Sequence, residues 1–202
     1  MTAERVSGEA VVGRTPTSRL RAAAHPVRLR ILSLLTGAEL SAAEVARELD
    51  LTHANASYHL RQLAAAGLLV VAGEEKVRGG VAKRYRHPWR EEDLSPDGPP
   101  SVGEEAMFLR AAAEELVRRG GLAVREEARA TPPGETPRPR GYSADAEVWL
   151  DAEVWARVVQ LLKDAGDLVH DHARPPRTPG TLHVNLSAFA FEMRPGPDGD
   201  PR

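Results

Sequence analysis

The apolar residues of the first half of the chain fall in helical stripes separated by caps and turns. A helical pattern starts near Ser18, with Leu20, Ala23 and Ala24 on one face, and Pro26 suits the first position of a second helix. Val27, Ile31, Leu34 and Leu35 then recur at i, i+4, i+7 and i+8, one buried stripe that Gly37 ends. In "SAAEVARELD", Ser41 followed three residues on by Glu44 predicts a capping box, and Val45 and Leu49 face inward. Asp50 and Leu51 make a turn, and Thr52 caps the next helix. That helix, His53 to Ala66, turns Ala56, Leu60 and Leu63 inward, and Gly67 stops it. Two short capped helices joined by a tight turn make a helix-turn-helix.

A different period follows. Leu68 to Val71 is an apolar run and Val81 to Arg86 mostly alternates, with a polar loop holding Gly79-Gly80 between them. This predicts a hairpin rich in Lys and Arg, a wing. Residues 91–102 read as a loop, and 104–129 as a helix that Gly120-Gly121 kinks or splits. "ATPPGETPRPRG" is a proline-rich linker. "AEVWL" reads as a strand, 152–171 as an amphipathic helix capped by Asp151, and "TLHVNLSAFAFEM" as a half-buried strand. The expected fold is α+β: a mainly helical winged helix-turn-helix with a β-hairpin wing, a long dimerisation helix and a small C-terminal β-α-β unit. The expected division is a tail at 1–16, a DNA-binding domain at 17–90, a loop and dimerisation helix at 91–130, a linker at 131–140, the β-α-β unit at 141–194 and a tail at 195–202.

Charge sharpens this picture. Residues 17–90 hold 12 Lys and Arg against 6 Asp and Glu, whereas residues 91–202 hold 13 against 21. A basic unit joined to an acidic one suits a polyanion binder with a separate regulatory part. The chain has no cysteine, which excludes disulfides and thiolate metal sites. No apolar stretch approaches the roughly 18–20 residues of a membrane span, and the N-terminus lacks an apolar signal core. The expectation is a cytoplasmic protein with no membrane contact.

The segment "AAAHPVRLRILSLL…LSAAEVARELDLTHANASYHLRQLAAAGLL" resembles the winged helix-turn-helix of the ArsR family of bacterial transcription regulators. The resemblance rests on His25 to Leu32, Glu44 to Leu49, Ser57 to Leu60 through Leu63, and Ala66-Gly67-Leu68, and spans about residues 18–88. It implies a homodimer on operator DNA, a repressor in most settings, released when an effector binds. The sequence departs from the metal-sensing branches. Ala46, Arg47 and Glu48 stand where one branch has a Cys-x-Cys motif, and the helix at 104–129 contains no histidine. No metal and no cofactor are therefore expected.

The residues expected to meet DNA are Thr52, His53, Asn55, Ser57, Tyr58, Arg61 and Gln62 on the second helix, and Arg78, Lys83, Arg84 and Arg86 on the wing. Asn can bond adenine in a bidentate way, and the wing cations suit phosphates or the minor groove. His59 stands open between a core contact and a phosphate contact. Met107, Phe108, Ala111 and Leu116 are expected at a dimer interface. His170, His172 and His183 read as a surface cluster rather than a metal site. Trp149, Trp155, Phe189 and Phe191 read first as core and second as the lining of a pocket for a small-molecule effector. Glu104-Glu105 and Glu114-Glu115 read as solvated pairs. No glycine-rich phosphate loop, His-Glu-x-x-His run or nucleophile elbow is present, which argues against an enzyme. The alternative to a DNA-binding regulator is a winged-helix module whose basic face binds an acidic protein.

Overall fold

The computed structural model describes residues 18–77, 80–88, 101–135 and 141–193. The two expected tails, the loop at 91–100, the end of the linker at 136–140 and Arg78 lie outside these residues. The elements run α1 (Arg19–Ala23), α2 (Pro26–Thr36), β1 (Leu40–Ser41), α3 (Ala42–Leu49), α4 (His53–Ala65), β2 (Val70–Val77), β3 (Gly80–Arg86), α5 (Val102–Ala130) and α6 (Ala152–Asp171).

The local chemistry that starts and stops α3 and α4 follows the residues. The Ser41 side chain accepts from the Glu44 N–H while the Glu44 carboxylate accepts from the Ser41 N–H, a complete capping box. Asp50 ends α3 in the left-handed region at φ 54°, so the chain reverses within three residues. Thr52 Oγ1 then accepts from the Asn55 N–H. Gly67, at φ 71°, leaves α4 by the same left-handed route, which favours a residue without Cβ. Ile31 and Leu35 of α2, Val45 of α3 and Ala56, Leu60 and Leu63 of α4 form the centre of the core, each at most 1% exposed. Burial of each large aliphatic side chain contributes about 1.5–3 kcal/mol.

The three strands form one antiparallel sheet in the order β1-β3-β2. The wing is longer than the sequence suggests, since residues 72–77, expected as a polar loop, continue β2. Glu74 lies opposite Lys83 and Glu75 opposite Ala82, and a bulge interrupts the register between Val71 and Gly73. Because β2 is mostly exposed beyond Val71, apolar alternation is missing there and period gives no signal. The two-residue β1 pairs Leu40 with Tyr85 and Ser41 with Arg84, and is too short to leave a pattern in the sequence.

α5 packs its Phe108 and Ala111 side against α1 and α2. It is one continuous helix of 29 residues, so the expected break at Gly120-Gly121 does not occur. It starts two residues earlier than expected, at a second capping box made by Ser101 and Glu104. Ser18 Oγ also donates to Glu104 at 2.8 Å, which ties the start of α1 to that of α5.

α6 has the expected bounds, but the Asp151 side chain makes no capping hydrogen bond and none of the helix residues is buried. The flanking strands of the expected β-α-β unit do not form. Residues 146–150 and 181–193 join no ladder, and every one of them is exposed. Their alternation fits a strand, but a strand needs a neighbour to take its N–H and C=O groups. Trp149 and Phe191 are exposed, so neither the core nor a pocket claims them. The C-terminal part still touches the helical domain. Arg177 donates to both Glu48 carboxylate oxygens at 2.8–2.9 Å, and the Arg174 carbonyl lies so close to Gly37 that a Cβ there would meet it at 2.7 Å.

A Cβ at Gly120 meets nothing within 4 Å, and the position is helical. Gly120→Ala is therefore expected to add about 0.5–1 kcal/mol of stability, read from the urea midpoint. A lower midpoint would mean that the helix is interrupted there.

Candidate nucleic-acid interface

α4 presents one polar face. Thr52, His53, Asn55, Tyr58, Arg61 and Gln62 are exposed, and Ser57 is half-buried. At 100° per residue the middle of this face is Tyr58, flanked by Ala54, Asn55, Arg61 and Gln62. His53 and Ser57 lie toward its edge. Arg61 folds back, its Nε donating to the Ser57 carbonyl at 3.3 Å. Ala54 escapes a reading of the sequence because a small apolar residue on a helix carries no signal by itself; it stands in the exposed face one turn before Tyr58.

His59 resolves to the core. It is 7% exposed, and its ring lies 4.9 Å from His25 and 5.3 Å from Tyr58. His25 caps α2, its Nδ1 accepting from the Val27 N–H at 3.1 Å. Burial first, then the neighbouring His25 and Arg28 charges, pushes His59 below the usual histidine range. His25 is lowered by burial and Arg28, with Glu114 on α5 opposing. Beneath the polar face therefore lies a pair of neutral imidazoles. The sequence does not pair His25 or Arg28 with α4, because only the fold brings α2 under Tyr58 and His59.

The wing divides its cations. Lys76, Lys83 and Arg86 are exposed. Arg84 is held by partners within the chain. Its guanidinium donates to Glu44 Oε2 at 3.1 Å, to Glu75 Oε2 at 3.0 Å and to the Glu39 carbonyl. β3 places residue 84 beside Ser41 of β1, so its side chain reaches the capping box of α3. Glu44 is held below the usual carboxylate range, first by the Ser41 N–H and also by Arg84.

The four residues expected at a dimer interface separate. Phe108 and Ala111 are taken up by the chain's own core, Ala111 being 5% exposed. Met107 and Leu116 stay open at 53% and 43%. Of the histidines considered for metal, His170 Nδ1 bonds the Gly166 carbonyl at 2.7 Å and His172 Nδ1 the Leu168 carbonyl at 3.0 Å. Among the described residues no three His, Asp or Glu groups are placed to hold a metal ion, and no helix is long and apolar enough to cross a membrane.

Residues 23–72 match the family model described as a helix-turn-helix domain, about a quarter of the chain. The match runs from the end of α1 to the start of the wing and contains the whole α3–turn–α4 unit. The chain thus carries a helix-turn-helix domain of the DNA-binding kind, within a mixed α/β winged-helix fold. No curated protein matches the chain.

The two imidazoles give a pH dependence with a definite sign. Their folded pKa values lie below the unfolded one, so they contribute stability above pH of about 6.5 that is lost as pH falls through the folded values. Melting temperature is expected to drop between pH 7.5 and 5.5, and to drop less in His59→Gln. An equal drop in wild type and variant would remove this pair as the cause.

Proposed function

We propose that the chain is a sequence-specific DNA-binding transcriptional regulator of the ArsR-like winged-helix type, a repressor that acts as a homodimer on a palindromic operator. The observation that carries this is the exposed face of α4, at the second helix of a helix-turn-helix. The N-terminal half of such a helix enters the major groove. Asn55 and Gln62 supply amide groups for adenine, Tyr58 supplies a hydroxyl, and the Ala54 methyl suits the methyl of thymine. Thr52 and the first N–H groups of α4 suit a phosphate. Lys83 and Arg86 suit phosphates beside the wing, while Arg84 positions the wing.

Asn55→Ala and Tyr58→Ala are each expected to cost roughly 1–3 kcal/mol on DNA selected by the protein from a random pool, and much less on unselected DNA. Lys83→Ala with Arg86→Ala should weaken both kinds of DNA and lower the salt slope by about 1 for each phosphate no longer neutralised. Filter binding over a salt series reads all of these. Unchanged discrimination in both α4 variants would defeat the reading.

The homodimer is supported by a second face of α5. Val102, Leu109, Leu116 and Ala123 alternate with Ala106, Ala113 and Gly120 at spacings of three and four, the pattern of a helix–helix seam. This seam lies about 100° around the helix from Phe108, and Val102 is 84% and Leu109 43% exposed. Small residues in alternate positions let two backbones approach closely. Leu109→Glu with Ala113→Glu is expected to keep the circular dichroism spectrum and give a monomer in sedimentation. A folded double variant that stayed dimeric would exclude this seam.

A further inference from the structure

Glu115, expected to be solvated, is 4% exposed on the inner side of α5. Its carboxylate accepts from Arg118 Nε and Nη2 at 2.8–3.0 Å and from Arg119 Nε at 3.2 Å. Two guanidinium groups on one carboxylate leave a surplus positive charge. Beside it opens a cleft of about 300 Å³ between α2, α5, the end of α6 and residues 186–189. Its lining is mixed: the apolar part comes from Leu29 and Leu32 of α2, Phe108 and Leu116 of α5, and Leu186 and Phe189 of the C-terminal segment. Ser33, Glu115, Arg119, His87 and His170 supply its polar lining.

We propose that this cleft binds a small amphipathic monoanion, a one- or two-ring aromatic carboxylate carrying a ring N–H or hydroxyl, with Arg119 as its anchor. The size lies at the lower end of the roughly 300–1,000 Å³ of ligand pockets, and a lining that mixes apolar side chains with convergent polar groups suits an amphipathic ligand. Arg119 already points its other two nitrogens at neutral acceptors. Nη1 donates to Asn185 Oδ1 at 3.0 Å and Nη2 to Ser33 Oγ at 3.1 Å. A carboxylate forms charge-assisted, fork-matched bonds with a guanidinium and displaces such neutral acceptors. His87 defines the second polar contact. Its Nδ1 bonds the Leu68 carbonyl at 2.8 Å and therefore carries the hydrogen. Burial, and His170 nearby, keep the ring below the usual histidine range and neutral, so Nε2 is an acceptor suited to a ring donor.

The site also couples two parts of the chain, an arm that rests on the DNA-binding reading. Arg119 joins Ser33 of α2 to Asn185 of the C-terminal segment. A ligand that takes this guanidinium releases both hydrogen bonds, and α2 is packed against α4.

Calorimetry on the full chain tests the site with indole-3-acetate and its uncharged counterpart, indole-3-acetamide. The acid is expected to bind at least about tenfold more tightly than the amide, and at least about tenfold less tightly to Arg119→Gln. Ala112→Phe, which adds bulk to the cleft from α5 and leaves Glu115, Arg118 and Arg119 in the chain, should abolish binding with little change in the melting curve. No binding of the acid, equal affinity for acid and amide, or full affinity in folded Ala112→Phe would overturn the site. Affinity for the selected DNA, measured with and without the acid, should differ several-fold. Equal values would overturn the coupling while the calorimetry still decides the site. A chain that bound no DNA would defeat the regulator reading and leave the calorimetric result standing.

Discussion

The Glu44 carboxylate is the point from which the relative placing of the helix-turn-helix and the wing hangs. It takes the N–H and the hydroxyl of Ser41, so it fixes the start of α3 and the end of β1 together. It also takes Arg84 from β3. With its side chain only 28% exposed, these charge-assisted bonds act in a partly dry setting, where losing one partner strands the others. The wing and the helix-turn-helix therefore meet at one anion. α4 follows from α3 through a turn whose left-handed Asp50 leaves little freedom. The spacing between the polar face of α4 and the cations of the wing is thus set by a capping box and one guanidinium.

Under α4 the packing has two parts. Ala56, Leu60 and Leu63 meet Ile31, Leu35 and Val45 in a dry core. Toward Tyr58 the apolar layer gives way to His59 and His25, stacked as neutral rings near Arg28. Polar atoms so close to the core carry a cost, and among the described residues His59 Nδ1 and Arg28 Nε have no hydrogen-bond partner. Neutral imidazoles reduce that cost, and protonation restores it. The support of the polar face is in this way tied to pH.

The C-terminal part relates to the winged helix differently. Among the described residues its polar links include Arg177 to Glu48, Asn185 to Arg119, and the Arg174 backbone against Gly37. α6 contributes an apolar stripe that the chain itself leaves uncovered, with Leu161 51% and Leu168 64% exposed. Contacts of this kind resemble those between units that move relative to each other.

Much of the helix-turn-helix is legible in the residues because its signals are local. Ser41-x-x-Glu44, Asp50, Thr52 and Gly67 act within one turn of themselves, and stripes at 3.6-residue spacing report which face is buried. The C-terminal strands mislead for the same reason in reverse. Alternation in 181–193 describes a side chain's preference, but a ladder depends on a partner, and none lies beside it among the described strands. By itself the sequence determined the caps, the stripes, the tight turn and the polar face of α4, since each depends on near neighbours and backbone geometry. Only the tertiary structure decided that Arg84 serves Glu44, that His59 is core, that Phe108 and Ala111 are spent within the chain and that Glu115 is buried. Those outcomes depend on which distant group reaches a charge first, and sequence spacing carries no record of that distance.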